Sequence, residues 1–265
     1  GWRPFSQNGP MARTVLDAAI LLQQMAGPDP RDPMAIPTTP PDFAAACVPD
    51  VRGLRMGWSP DLGDAAVDPE VRAIAEQAAK RFQAMGATVV DLQLDFDNEL
   101  VLETFNTVWL SDLSANFGSL LDSHANELDP VLREQIERAN AWSAPKLAKA
   151  LRQLELHRVK VVKIFEDVDL LLTPSLAVEA FPIGEFPKTI DEQTVPDPLW
   201  SFTAFSYPFN MSGNPAASIP CGFTANGLPI GLHAVGRRGA EETVIRASTA
   251  FEQAHPWDNV RPTVS

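Results

Sequence analysis

Apolar positions along the chain recur in two periods, and the switch between them marks the elements. From a Thr14 N-cap, Val15, Ala18, Ala19 and Leu22 repeat at helical spacing, and Asp17 sits at the capping-box position until Gly27 ends the run. Gly27 to Pro41 is rich in Pro and Asp and reads as a surface loop. Leu54 to Trp58 is a short strand. Asp68-Pro69 then opens a helix, with Asp as N-cap and Pro at its favoured first position. Val71, Ile74, Ala75, Ala78, Phe82 and Met85 form its apolar face, and Gly86 closes it. Ala87 to Leu92 reads as the next strand. Strand, helix and strand of these lengths predict a right-handed parallel crossover, and so an α/β sheet.

Asn98 to about Asp167 is helical throughout in pattern. Leu100, Thr104, Val108, Leu113 and Phe117 share a loose face in its first helix. Ser143 caps its last helix, where Leu147, Leu151, Leu154, Val161 and Phe165 are spaced for burial. Leu170 to Thr173 returns to the sheet. Residues 176–209 read as largely irregular, and a final helix near Glu241 to Gln253 should bury Val244, Ile245, Ala247 and Phe251. No internal repeat or low-complexity tract is present.

Between the last two stretches, Asn210 to Phe223 and Pro229 to Gly236 read as two short apolar strands joined at Asn226-Gly227. That dipeptide tolerates positive φ at both central positions, so a tight hairpin is expected. Pro220 cannot donate to a ladder, which places its strand at an edge or makes it irregular. Gly222, Gly231 and Gly236 leave room for another backbone or a ligand to come close.

These residues also carry a resemblance. Asn210, Gly213, Pro215, Ala216, Ser218, Pro220 and Gly222, then Gly227, Leu228, Pro229, Gly231 and Leu232, follow in order the C-terminal core motif of the amidase signature family. Gly9-Pro10-Met11-Ala12-Arg13-Thr14-Val15 with Asp17-Ala18-Ala19, and Asp169 to Ser175, agree with two further blocks of it. The resemblance implies a mixed, twisted β-sheet flanked by helices and a serine amide hydrolase. It also implies that the catalytic Lys, the cis-peptide serine and the nucleophilic serine precede the Gly9-Pro10 block, in a Gly/Ser-rich segment that these residues do not contain. With Gly1 rather than Met first, the expectation is that residues 1–265 form the C-terminal portion of a single amidase-like domain, incomplete in this chain, with a helical segment at about 98–167. No catalytic residue is therefore assigned here.

Composition narrows the partners. The formal net charge of −13 disfavours nucleic acid and anionic membranes, which need clustered Lys and Arg. No apolar run approaches a membrane span, and no basic-then-apolar leader is visible. Cys47 and Cys221 stand far apart without metal-type spacing, so neither a disulfide framework nor a metal site is expected, and a reducing cytoplasmic setting is the default. The expected partners are a small-molecule amide and the missing N-terminal half of the same protein. A homodimer stays open, and no cofactor is implied.

Of the chemical motifs, Ser143-Ala144-Pro145-Lys146 spells S-x-x-K, but a helix cap followed by a solvated Lys explains it. His233 lies where the family usually has Gln and reads as a packed strand histidine. His124, His157 and His255 have no partners at readable spacing. More informative is the loop from Asp197 to Phe209, with five aromatics in ten residues leading into Asn210, which suggests an apolar ligand wall. By resemblance, the glutamine-amidotransferase branch carries an acidic substrate-recognising residue where this chain has Thr203, which favours a more apolar amide. The expected pocket wall is Thr173, Trp200, Thr203, Phe209 and Asn210, with Trp109 as a lid. Two other readings remain: the A-type subunit of a tRNA-dependent glutamine amidotransferase, and a non-catalytic binding module.

Overall fold

The computed structural model describes residues 5–32, 35–257 and 259–261; Gly1 and the Pro33-Met34 part of the Gly27–Pro41 loop lie outside them. Helix α1 (Val15–Met25) begins where Thr14 Oγ1 accepts the Asp17 N–H, as the capping pattern predicts. Strand β1 (Arg55–Trp58) runs parallel to β2 (Thr88–Asp91), with α2 (Pro69–Ala84) between them. Asp68 Oδ1 caps α2 by accepting the N–H groups of Glu70 and Val71, at 2.9 and 3.1 Å. Gly86 ends it at φ +95°. Strand β3 (Leu170–Pro174) lies parallel to β1 on its other side.

A short antiparallel pair, β4 (Thr189–Ile190) and β5 (Gln193–Thr194), stands apart from the main sheet. The C-terminal strands, β6 (Ala216–Phe223) and β7 (Pro229–Gly236), complete a five-stranded mixed sheet of order β2-β1-β3-β7-β6. All of β3 is buried, because helices cover both of its faces; this is why its sequence reads as a continuous apolar run. On one face pack α2 and α8 (Glu241–Ala254). Gly236 makes room there, since a Cβ on it would lie 2.8 Å from Val244 of α8. The opposite face meets the long helix α6 (Ala144–Asp167) and, through Phe209 beside His233, the short α7 (Tyr207–Ser212). α8 buries Val244, Ile245, Ala247 and Phe251 as expected.

Three expectations are corrected: the apolar faces of the helical region, the two-residue hairpin turn and the strand at Asn210. The helical region is broken into α3 (Asn98–Phe117), α4 (Leu120–Ser123), α5 (Pro130–Asn140) and α6. α3 contacts α5, α6 and α7 together, so Thr104, Val108 and Leu113 are buried as expected along with Val101, Leu102, Phe105 and Leu110, and also polar Asn106 and Thr107, while Leu100 and Phe117 are exposed. Leu151 of α6 is likewise exposed. The hairpin loop is longer than a two-residue turn: Thr224 N–H donates to Leu228 O and Gly227 N–H to Thr224 O. Only Gly227 there has positive φ, at +78°. Residues 176–209 are largely irregular as expected, with β4, β5 and a 3-10 turn at Ser201–Thr203 ahead of α7, whereas Asn210 lies on α7 rather than on a strand. Pro220 behaves as expected: β6 is an edge of the described sheet, and its register shifts between Pro220 and Gly222.

Replacing Asp68 by Ala leaves two first-turn amides of α2 without their acceptor. Urea denaturation should show a loss of about 1 kcal/mol, while Asp68→Asn should lose little. Equal loss in both variants would contradict the capping role.

Candidate functional site

Strand register assembles the most distinctive polar group. On β7, His233 pairs with Thr173 of β3 on one side and Ser218 of β6 on the other. Residues directly opposite in an antiparallel pair share a face, so these three form one row across the sheet. Two positions along, Gly231 pairs with Pro220, and its carbonyl accepts the Ser175 N–H at 2.9 Å. Above Gly231, the Oγ atoms of Ser175 and Ser218 lie 2.7 Å apart in a hydrogen bond. A Cβ at residue 231 would stand 2.5 Å from one hydroxyl and 2.7 Å from the other, so only glycine leaves the pair its place.

His233 is 9% exposed, and its Nδ1 is buried without a hydrogen-bond partner among the described residues. Burial pushes the imidazole down to about 4, so it is neutral at pH 7. Its ring lies 5.8 Å from that of Phe209. These residues border a cleft of about 520 Å³ whose walls include Ser206, Leu176, Val178 and Ile230. A second cleft, of about 320 Å³, is lined by Asp64, Asn98, Ser201 and Tyr207; Asn98 Oδ1 there is also buried and unpartnered.

The aromatic loop disperses instead of forming one wall. Trp200 and Tyr207 join Phe5, Phe105 and Trp109 in a cluster over α3, with ring centroids 5.0 to 6.1 Å apart. Phe202 packs edge-on to Phe181 at 5.0 Å. Phe205 and Phe209 are buried in the main core under the sheet. Of the six residues chosen from sequence, Trp109 and Trp200 touch, and Thr203 Oγ1 donates to the Trp200 carbonyl at 2.7 Å. Asn210 Nδ2 donates to the Phe5 carbonyl at 2.8 Å. Thr173 is fully buried, its hydroxyl donating to the Pro174 carbonyl. None of the six lines either cleft.

The S-x-x-K spacing is structural in this fold. Ser143 Oγ accepts the Lys146 N–H as the α6 cap, and the Lys146 ammonium lies over the Trp142 ring and 3.8 Å from Glu103. His157 does have a partner, contrary to the sequence reading: Nε2 stands 2.9 Å from the Pro208 carbonyl, a residue distant in sequence. Burial lowers its proton affinity also, against that hydrogen bond. Both cysteines are free thiols. Among the described residues, no group of three or more His, Cys, Asp or Glu could hold a metal ion, and no helix is long and apolar enough to cross a membrane.

A family model described as Amidase matches residues 3–245. The chain belongs to the amidase family. Among curated amidase relatives, an acylamidase of Rhodococcus erythropolis is 33% identical over 270 residues, covering 98% of this chain and 55% of that protein. The A-type component of the glutamyl-tRNA(Gln) amidotransferase of Geobacter metallireducens is 32% identical, with 95% and 55% covered. Among solved structures, a bacterial aryl acylamidase of the amidase signature family superimposes with a TM-score of 0.86 at 30% identity, covering 96% of this chain and 55% of that one. The mixed sheet and its flanking helices are thus those of amidase signature enzymes. This chain spans about half the length of the curated amidases it matches.

The sequence singles out His233 without giving it a site, and it presents Ser175 and Ser218 only as motif letters. Their shared signal is the alternation of strand positions, which becomes a constellation only once β3, β6 and β7 are in register.

A histidine held neutral by burial binds fewer protons folded than unfolded between about pH 4 and its ordinary 6.5. Stability should therefore be full above that window and fall as pH drops through it. The shift corresponds to at most about 3 kcal/mol. Urea midpoints at pH 7 and pH 4 should show His233→Gln losing less than the parent chain by up to that amount. Parallel pH profiles would mean that His233 titrates normally.

Proposed function

We propose that the chain contributes the C-terminal core and pocket wall of an amide hydrolase for small, apolar carboxamides. The observation that carries this is the near-complete coverage of the chain by an acylamidase sequence and an aryl acylamidase fold. The chemistry would run through a serine acyl-enzyme, with a lysine acting as base through a second serine, and with backbone amides stabilising the oxyanion. Those groups would come from a Gly/Ser-rich segment outside these residues, and no residue here is given a catalytic role. We assign the contact with that segment to edge strand β6 and to the groove beside it, of about 380 Å³, between Pro10 to Leu22 of the α1 region and Pro215 to Pro220. A single domain shared with that segment, placed in the cytoplasm, is part of the same proposal.

Trp200, Thr203, Phe209, Asn210, Thr173 and Trp109 are proposed as the support of the pocket, holding the loop and α7 through the contacts described above. A second reading, the glutamine-transferring component of a tRNA-dependent complex, draws on the 32% identity to such a protein. Against it stands Thr203, a neutral residue whose hydroxyl is already spent on the Trp200 carbonyl.

Two measurements follow. A fluorophosphonate probe should leave the 265-residue chain unlabelled; stoichiometric labelling of Ser143 would overturn both the proposal and its reading as a cap. In the protein joined to a Gly/Ser-rich segment, aryl anilides should be hydrolysed faster than glutamine. Thr203→Asp should shift that ratio towards glutamine, and Phe209→Ala, by loosening the support of the pocket, should slow aryl amides more than short ones. Uniform losses for all substrates would confine Phe209 to core packing.

A further inference from the structure

A cleft beside the C-terminal end of α6 gathers positive charge in a chain whose formal net charge is −13. Its volume is about 490 Å³, and Arg158, Arg237 and Arg238 line it with a single carboxylate, Glu166. Other exposed guanidiniums pair with a carboxylate, as Arg31 does with Asp29, Arg52 with Asp50 and Arg133 with Glu137. Arg237 and Arg238 make no such pair among the described residues. Two of the three heads are held in place. Arg158 Nε donates to the Met211 carbonyl at 3.0 Å, and Arg237 Nη2 to the Phe165 carbonyl at 2.9 Å. Both acceptors lie in the last turn of a helix, α7 and α6, where carbonyls lack helical partners, so each guanidinium is also a C-terminal cap. Capping spends one N–H of a five-donor fork. Arg158 spends another on Glu155, Arg237 keeps the rest, and Arg238 makes no hydrogen bond among the described residues. The Arg238 head lies over Gly213, where a Cβ would stand 3.6 Å from its Nε. The neutral polar groups of the cleft are already engaged: Ser212 Oγ donates to Asn214 Oδ1, and Asn214 Nδ2 to the Gly236 carbonyl. Recognition therefore falls to the guanidiniums, beside an apolar side chain, Val162, that is 61% exposed.

We propose that this cleft binds a small phosphate monoester, with the forks of Arg237 and Arg238 on its phosphate, Arg158 adding charge, and its organic group against Val162. Three guanidiniums against one carboxylate match a ligand of two negative charges, and a phosphate monoester is mostly dianionic at pH 7. Its three terminal oxygens accept from planar N–H pairs, which a guanidinium presents and an ammonium does not. A carboxylate offers one charge and two oxygens, so it leaves part of this donor set unused. A long polyanion is disfavoured, because the rest of this acidic chain repels it. Arg237 and Arg238 are exposed, so the attraction is open to screening by salt. The proposal is independent of the amide-hydrolase reading, and the failure of either leaves the other standing.

The test is titration of phenyl phosphate into the 265-residue chain at pH 7, followed through the arginine Nε–H resonances, with inorganic phosphate and benzoate as comparisons. Saturable shifts should be confined to Arg158, Arg237 and Arg238. Phenyl phosphate should bind at least about threefold more tightly than inorganic phosphate, through Val162, and at least about tenfold more tightly than benzoate. Raising the salt from about 10 mM to about 100 mM shortens the screening length from about 30 to about 10 Å and should weaken binding at least about fivefold. Arg238→Gln should weaken it to a similar degree, and Glu166→Gln should tighten it about twofold. Arg133→Gln on α5 removes the same charge elsewhere and should leave the affinity unchanged. Arg238 makes no hydrogen bond that its substitution could break, and thermal unfolding checks that the variant is folded. An equal loss in Arg133→Gln and Arg238→Gln would reduce the effect to net charge and overturn the proposal. Benzoate or inorganic phosphate binding as tightly as phenyl phosphate, or no saturable shift at these arginines, would overturn it as well.

Discussion

His233 sits between Thr173 and Ser218 because β7 is hydrogen-bonded to β3 on one side and to β6 on the other, and this double pairing fixes everything above the sheet. Side chains alternate with a period of two, so a slip of one residue would send His233 to the α2 and α8 face and bring Leu232 or Ala234 into the cleft. The register is held by packing on both faces. Leu170, Leu172, Leu232 and Ala234 are fully buried on the α2 and α8 side, while Leu171 and Val235 are buried on the other. A hydrophobic core thereby positions a polar row, although no member of that row contributes to the core.

The same row carries opposing demands. Burying the imidazole Nδ1 of His233 without a partner opposes folding, and the charged form would oppose it further. Gly231 gives up side-chain packing in a central strand, a loss on the order of 0.5–1 kcal/mol relative to Ala, and in exchange leaves space for the two hydroxyls. Features that weaken a fold yet are held firmly by it are characteristic of ligand sites, since packing elsewhere must offset them. The aromatic loop shows the contrary pattern. Its rings divide among three clusters and their burial is stabilising, which suits the support of a site better than contact with a ligand.

What could be read from the sequence was local. Thr14, Asp68 and Ser143 announce helix starts because each cap lies within three residues of the amides it satisfies. The β1-α2-β2 unit was legible for a similar reason, its apolar period and its Gly86 stop being contiguous. The α3 face was not, because three other helices bury it from different sides and no single stripe results. Nor was the hairpin loop, where Asn226-Gly227 suggests a two-residue turn but Thr224 and Leu228 close a wider one. The motif letters led correctly to the family, whereas where the loop aromatics pack depends on α3, Phe181 and the main core, all distant in sequence. Ser175 and Ser218 are separated by 43 residues, and nothing in either neighbourhood announces their hydrogen bond.

The polar row across β3, β7 and β6 requires His233 to be neutral and fixed within the sheet. A pH titration followed through the histidine ring carbon and proton resonances tests this directly. His233 should keep the shifts of a neutral ring from pH 8 down to about 5. Titration of His233 near its ordinary value of 6.5 would contradict the account, since a ring that protonates there is neither buried as described nor held in the row between Thr173 and Ser218.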